Sequence, residues 1–106
     1  MAQAYGAKMT APGLCIAANT GSMLPVLKGG EFFAVQVADF AKVQVGQVIV
    51  YYWPSRQINV VHRIVAIKDT PRGRAVFCKG DSNPLRDPIS VTDAEFVGVA
   101  VLPPVR

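Results

Sequence analysis

The fold is decided by residues 47–79, which read QVIVYYWPSRQINVVHRIVAIKDTPRGRAVFCK. Three runs in this stretch are rich in Val, Ile and aromatic residues, which favour the half-buried surface of a β-sheet. These runs are 47–53, 59–67 and 74–79. The last two are joined by a loop that contains Pro71 and Gly73, and together they predict a β-hairpin.

The rest of the chain follows the same pattern of short apolar runs between Gly and Pro breakers. Further strands are predicted at 14–18, 31–37 and 96–102. Residues 38–43 favour one helical turn, and no segment predicts a long helix. A chain of 106 residues suits one domain with its own core. The sequence therefore predicts a mostly β, single compact domain of short, largely antiparallel strands over residues 14–106, after an N-terminal extension of residues 1–13.

Composition excludes several classes of protein. With 51% hydrophobic and 17% charged residues, the chain is too apolar to be disordered. Its longest apolar runs, such as residues 48–53, are far shorter than the roughly 20 residues of a membrane-spanning helix. No signal-peptide pattern opens the chain. We therefore expect a soluble protein, cytoplasmic or particle-associated, with peripheral membrane contact and oligomeric state left open.

The charge distribution and the two cysteines do not indicate nucleic-acid binding or metal binding. The net charge of +4 comes from scattered basic residues without a run, which favours solubility over nucleic-acid binding. Cys15 and Cys78 each lie in an apolar strand-like run and are predicted to be small buried hydrophobic residues, with a disulfide as the alternative. They form no metal-ligand pattern, and no cofactor is predicted.

Residues 20–25, TGSMLP, form the first segment with candidate chemistry. Ser22 lies between Gly21 and Met23, with Pro25 three residues further on, so a sharp turn is predicted. Such a turn can present a hydroxyl beside backbone N–H groups, as a nucleophile and its oxyanion hole require. The alternative is an ordinary serine-containing turn.

The second candidate is His62, the single histidine of the chain. Strand alternation places it on one face with Val60 and Ile64. An imidazole held rigidly on a strand suits a general base. The alternative is a structural histidine with satisfied hydrogen bonds.

The third segment is residues 79–88, KGDSNPLRDP. Either of its carboxylates, Asp81 or Asp87, could orient an imidazole and stabilise its protonated form. The alternative is a plain surface loop, and a calcium loop fits poorly because the oxygen ligands are few and wrongly spaced.

In order and spacing, these segments resemble the signal peptidase family, in its archaeal and endoplasmic-reticulum-type Ser-His branch, whose catalytic core is similar to that of LexA-like repressors. The family's Ser-Gly-Ser-Met-x-Pro box resembles residues 20–25, and its Val-His-Arg is present at 61–63. Its Gly-Asp/Glu-x-Val-Val-Phe strand is matched by GQVIVY at 46–51, and its Lys-Gly-Asp-Asn-Asn-x-x-Asp-Asp box by residues 79–87. The resemblance also covers Gly30-Glu31 and the closing residues 97–104.

The resemblance implies a serine endopeptidase that cuts extended peptides after small residues. Ser22 is then the nucleophile and His62 the general base. Asp87 is the expected partner of the histidine, and Asp81 is the second choice.

The same resemblance implies that the backbone N–H of Ser22 and the hydroxyl of Thr20 hold the oxyanion, and that Met23 and Pro25 bind substrate. The partner is then a peptide or protein substrate, not nucleic acid. Departures from the family pattern include Arg86 beside the expected catalytic carboxylate, where it could compete for that carboxylate, and the lack of a transmembrane helix before residue 20.

Two other functions stay open from the sequence. The first is a non-catalytic structural or assembly protein, for example a virion-associated one, that retains the signal-peptidase-like fold. The second is self-cleavage as in LexA-like repressors, for which the small-x-small triplet at residues 2–4 is a candidate trimming site.

Overall fold

The strands of this domain pair in one antiparallel sheet. The computed structural model describes residues 6–11, 13–17 and 21–102. The strands are β1 Gly6–Ala11, β2 Leu14–Ala17, β3 Phe32–Gln36, β4 Val48–Trp53, β5 Ile58–Thr70, β6 Gly73–Lys79, β7 Ser90–Val91 and β8 Phe96–Val101. Their order in the sheet is β1-β2-β3-β8-β4-β5-β6-β7. The mostly β, antiparallel fold class is therefore confirmed.

The sheet closes on itself through one extra pairing. Strand β1 pairs with β5 as well as with β2, so that β1, β2, β3, β8, β4 and β5 form a closed ring of hydrogen-bonded strands. The predicted hairpin is confirmed as β5 and β6, whose register ends at Thr70 opposite Gly73. The radius of gyration of 12.7 Å agrees with about 13 Å for a single 100-residue domain.

All six predicted strands form, with ends that agree with the prediction to within three residues. The predicted helical turn is a 3₁₀ turn at Phe40–Lys42, where the Asp39 side chain accepts a hydrogen bond from the backbone N–H of Ala41 at 3.0 Å. Strands β1 and β7 were missed by the sequence analysis. Strand β1 lies within residues 1–13, the predicted N-terminal extension. No helix among the described residues has the length and apolar character needed to cross a bilayer.

The core consists of two hydrophobic clusters on opposite faces of the central strands. Strand β4 contributes to both, because Ile49, Tyr51 and Trp53 point into the first cluster while Val48 and Val50 point into the second. Burial on both faces explains why this strand reads as a continuous apolar run instead of an alternating one.

The two cysteines lie in different clusters. Cys78 belongs to the first cluster and Cys15 to the second, and both side chains are fully buried thiols. The prediction of small buried hydrophobic residues is confirmed, and the disulfide alternative is wrong.

Candidate active site

Ser22 lies on a tight turn that begins after β2. The turn is closed by backbone hydrogen bonds from Leu24 to Gly21 at 3.2 Å and from Leu27 to Met23 at 3.0 Å. Gly21 has a φ of 75°, a left-handed conformation that glycine adopts without strain. Ser22 is only 8% exposed, so its hydroxyl faces the protein and not bulk water.

His62 lies in the middle of β5, opposite Ile49 of β4, and is fully buried. Its Nε2 atom is 3.1 Å from Oγ of Ser22. This separation is within the hydrogen-bond reach that a general base needs from the hydroxyl it deprotonates. The strand holds the imidazole in place, since its backbone is paired with β4 along this stretch.

Asp87 completes a line of three side chains. Its Oδ1 and Oδ2 atoms lie 2.8 and 2.7 Å from Nδ1 of His62. A carboxylate only accepts hydrogen bonds, so Nδ1 must carry the proton. The lone pair of Nε2 then faces the Ser22 hydroxyl, which donates to it. A backbone hydrogen bond from Asp87 N–H to the carbonyl of Cys78, at 2.8 Å, anchors the loop that carries this carboxylate.

Tyr51 is a fourth member of the site, which the sequence analysis missed. This residue of β4 is fully buried, and its hydroxyl donates to Oδ2 of Asp87 at 2.7 Å. The one feature of the sequence that could have indicated it is the tyrosine that ends GQVIVY at 46–51, since the strand pattern that this segment resembles ends in Phe.

Asp81, the second-choice carboxylate, lies in a different interaction. Its two oxygens accept hydrogen bonds from Nε and an Nη of Arg63 at 2.9 and 2.8 Å. Arg63 follows His62 on β5 and therefore points to the opposite face. The hydrogen bond to Asp81 raises the pKa of the Arg63 guanidinium, against a smaller opposing effect of burial. The structure thus brings Asp87, and not Asp81, to the imidazole.

The loop of residues 79–83 hydrogen-bonds to the turn that carries Ser22 and holds this turn beside His62. The backbone N–H of Ser82 donates to the carbonyl of Ser22 at 2.9 Å, and the Ser82 hydroxyl donates to the carbonyl of Leu24 at 2.6 Å. At Gly80 there is no room for a side chain: an added Cβ would lie 2.7 Å from the Ser22 carbonyl oxygen and 2.9 Å from Nε2 of His62. The spacing of Ser22 and His62 therefore depends on this loop.

The remaining predicted site residues are placed as follows. Met23 is 3% exposed, packs in the second cluster and has its sulfur 3.4 Å from the backbone nitrogen of Asp81, so it supports the turn from inside. Pro25 is exposed on the same turn. Thr20, the expected second oxyanion donor, lies outside the described residues, as does the triplet at 2–4.

Arg86 does not compete for the Asp87 carboxylate. Its guanidinium lies 5.6 Å from the centre of the Phe77 ring, over the face of that ring. Asp87 instead accepts from His62 and Tyr51. Within the part of the chain that the structure describes, no group of three or more His, Cys, Asp or Glu is placed to hold a metal ion.

Comparison with known proteins agrees with the motifs. Over 64 residues the chain is 34% identical to the signal peptidase complex catalytic subunit sec11 of Penicillium rubens. The match covers 60% of this chain and 36% of that protein, so the chain spans about a third of the length of this relative. No family model and no solved structure matches the chain. The similarity supports a relationship to the signal peptidase family.

Proposed function

We propose that this chain is a serine endopeptidase of signal-peptidase type, with Ser22, His62 and Asp87 as its catalytic triad. The observation that carries the proposal is the unbroken line from Oγ of Ser22 to Nε2 of His62 at 3.1 Å and from Nδ1 to the Asp87 carboxylate at 2.7 Å. A nucleophile, a base within reach of it and an acid that orients the base are the parts that acyl transfer requires.

The mechanism follows from the protonation state that the hydrogen bonds impose. Nε2 of His62 takes the proton from Ser22 as Oγ attacks the scissile carbonyl carbon and forms the tetrahedral intermediate. Asp87 stabilises the imidazolium. The imidazolium then protonates the leaving amine, which departs and leaves an acyl group on Ser22. Water, deprotonated by the same nitrogen, attacks the acyl carbon, and the acid product leaves with Ser22 restored.

The oxyanion of both tetrahedral intermediates is assigned to the backbone N–H of Ser22, together with the hydroxyl of Thr20. Each well-placed donor of this kind typically lowers the barrier by about 2.7–4 kcal/mol. The backbone N–H of Ser22 comes from the turn that Gly21 and the Ser82 hydrogen bonds shape, so that this turn supplies the nucleophile together with one oxyanion donor.

The substrate we propose is an extended peptide with small residues just before the cut. Support comes from the family resemblance of the motifs and from the similarity to a protein named as the catalytic subunit of a signal peptidase complex. An extended peptide can add its backbone beside a strand or turn near the nucleophile, which gives affinity without a deep pocket. Contact with a membrane surface and with other subunits belongs to the same proposal.

The test is cleavage of an Ala-x-Ala peptide by wild type, Ser22→Ala and Ser55→Ala. Ser55 lies exposed in the turn after β4 and serves as the matched control. Loss of the nucleophile of a triad lowers kcat by up to about 10⁶-fold, so Ser22→Ala should be inactive while Ser55→Ala keeps wild-type rates. Cleavage by Ser22→Ala, or none by the folded wild type, would contradict the proposal and favour a non-catalytic structural protein.

A further inference from the structure

The Tyr51 hydroxyl makes an interaction that packing alone does not require. The ring of Tyr51 fills the first hydrophobic cluster beside Ile49, Trp53 and Val60, and a phenylalanine ring would fill the same space. The added oxygen lies 2.7 Å from Oδ2 of Asp87 in a fully buried setting.

This hydroxyl constrains a carboxylate that has two equivalent ways to meet the imidazole. Both oxygens of Asp87 lie within 2.8 Å of Nδ1 of His62, and the Asp87 side chain is only 3% exposed. With His62 as the sole partner, the carboxylate could turn about its terminal bond, whose rotamers are broad. A second donor on Oδ2 fixes the plane of the group. It also supplies a charge-assisted hydrogen bond, which is stronger than a neutral one.

We propose that Tyr51 is a positioning residue that fixes the Asp87 carboxylate, and through it the tautomer and orientation of His62. Its effect on catalysis rests on the proposed peptidase function, whereas its effect on the His62–Asp87 hydrogen bond does not. Tyr51 is fully buried, and its hydroxyl meets Asp87, whereas the Ser22 hydroxyl meets the other ring nitrogen of His62, so we assign Tyr51 an indirect effect through Asp87 and His62.

The first test is proton NMR of Tyr51→Phe, with Tyr52→Phe as the control. His62 is the only histidine, so a low-field ring N–H signal is assigned without ambiguity and should vanish in His62→Gln. Tyr51→Phe keeps the ring and removes one oxygen, and we expect the Nδ1 proton signal to move upfield and to broaden through exchange with water. Tyr52 is 39% exposed on the same strand, and its variant should leave the signal unchanged. An unaltered signal in Tyr51→Phe would overturn the proposal.

The second test is a kinetic double-mutant cycle between Tyr51 and Asp87. Tyr51→Phe should lower kcat about tenfold, or about 1.4 kcal/mol of barrier, with KM unchanged because the residue does not reach substrate. In an Asp87→Asn background the same change should have no further effect, since Tyr51 acts through the carboxylate. An equal loss in both backgrounds, or a change in KM alone, would show a packing role and overturn the proposal.

The two tests also separate this proposal from the proposed function. If wild type cleaves no peptide, the peptidase function fails, and the NMR comparison still decides whether Tyr51 fixes the His62–Asp87 pair. If wild type cleaves and the NMR signal of Tyr51→Phe equals that of wild type, only the role of Tyr51 is refuted.

Discussion

Replacement of Gly80 by alanine tests whether the loop after β6 sets the distance between Ser22 and His62. The added Cβ would lie 2.7 Å from the carbonyl oxygen of Ser22 and from Nδ2 of Asn83, and 2.9 Å from Nε2 of His62. Ordinary contacts of a Cβ begin at 3.4 Å, so each neighbour must yield by half an ångström or more. The φ of Gly80 is not positive, which means that the cost comes from these contacts and not from backbone strain.

The magnitude follows from which neighbours can move. The Asn83 side chain can turn away, but the Ser22 carbonyl is backbone held by Ser82, and His62 is fixed in the middle of β5. Overpacking of this kind costs about 1–3 kcal/mol of stability. Misplacement of reacting groups by about 1 Å costs on the order of 10²-fold in rate. We therefore expect Gly80→Ala to fold and to lose about 10²-fold in kcat/KM.

The assay is peptide cleavage together with urea unfolding, and Gly73→Ala is the control. Gly73 lies at the tip of the β5–β6 hairpin with no atom within 4 Å of an added Cβ, and its φ is 118°. Alanine there should cost about 1–3 kcal/mol through backbone strain alone. The two variants thus match in stability and differ in site geometry. Wild-type activity in Gly80→Ala, or an equal loss in Gly73→Ala, would refute the reasoning.

Two further predictions concern the acids and the thiols. Asp87→Asn should lower kcat by about 10⁴-fold, as loss of the orienting carboxylate does in other serine proteases. Asp81→Asn breaks only the partly exposed pair with Arg63, so it should lower the free energy of unfolding in urea by about 1 kcal/mol and kcat by less than about tenfold. The reverse ranking of the two kcat values would contradict the assignment. Burial, aided by the charge of Asp87, raises the pKa of Cys78 from 9.0 to about 12, and burial raises that of Cys15. Iodoacetamide at about pH 8 should therefore modify neither thiol until urea unfolds the chain. Because the folded state keeps the Cys78 proton longer, stability should fall as the pH rises from 9.0 towards about 12, which urea titrations can measure.

The strands that the sequence predicts are those whose residues favour β structure by themselves. Runs of Val, Ile and aromatic residues gave six strands and the hairpin correctly. Strand β1, GAKMTA, has one β-branched residue, and besides the adjacent β2 it pairs with β5, which lies far along the chain. Strand β7 has two residues and exists through its pairing with β6. Such tertiary pairings leave no local pattern.

The candidate site likewise has residues that the sequence predicts and contacts that only the folded chain shows. Motif order was enough to select Ser22, His62 and two carboxylates, and the family resemblance ranked Asp87 ahead of Asp81, although spacing alone cannot rank two acids six residues apart on one loop. Contacts that form only in the fold decide which acid reaches His62. Asp81 accepts a hydrogen bond from Arg63, and the backbone N–H of Asp87 donates to the carbonyl of Cys78. The link between Tyr51 and Asp87 joins residues 36 positions apart and has no signal except an unexpected hydroxyl.

The central claim is that the Ser22 hydroxyl is activated by His62, and covalent labelling tests it most directly. The folded wild type should form one adduct with a fluorophosphonate probe, located on Ser22 by peptide mass mapping. Ser22→Ala should form none, and His62→Gln should react far more slowly because no base removes the proton. An unlabelled wild type, or labelling of His62→Gln at the wild-type rate, would contradict the account.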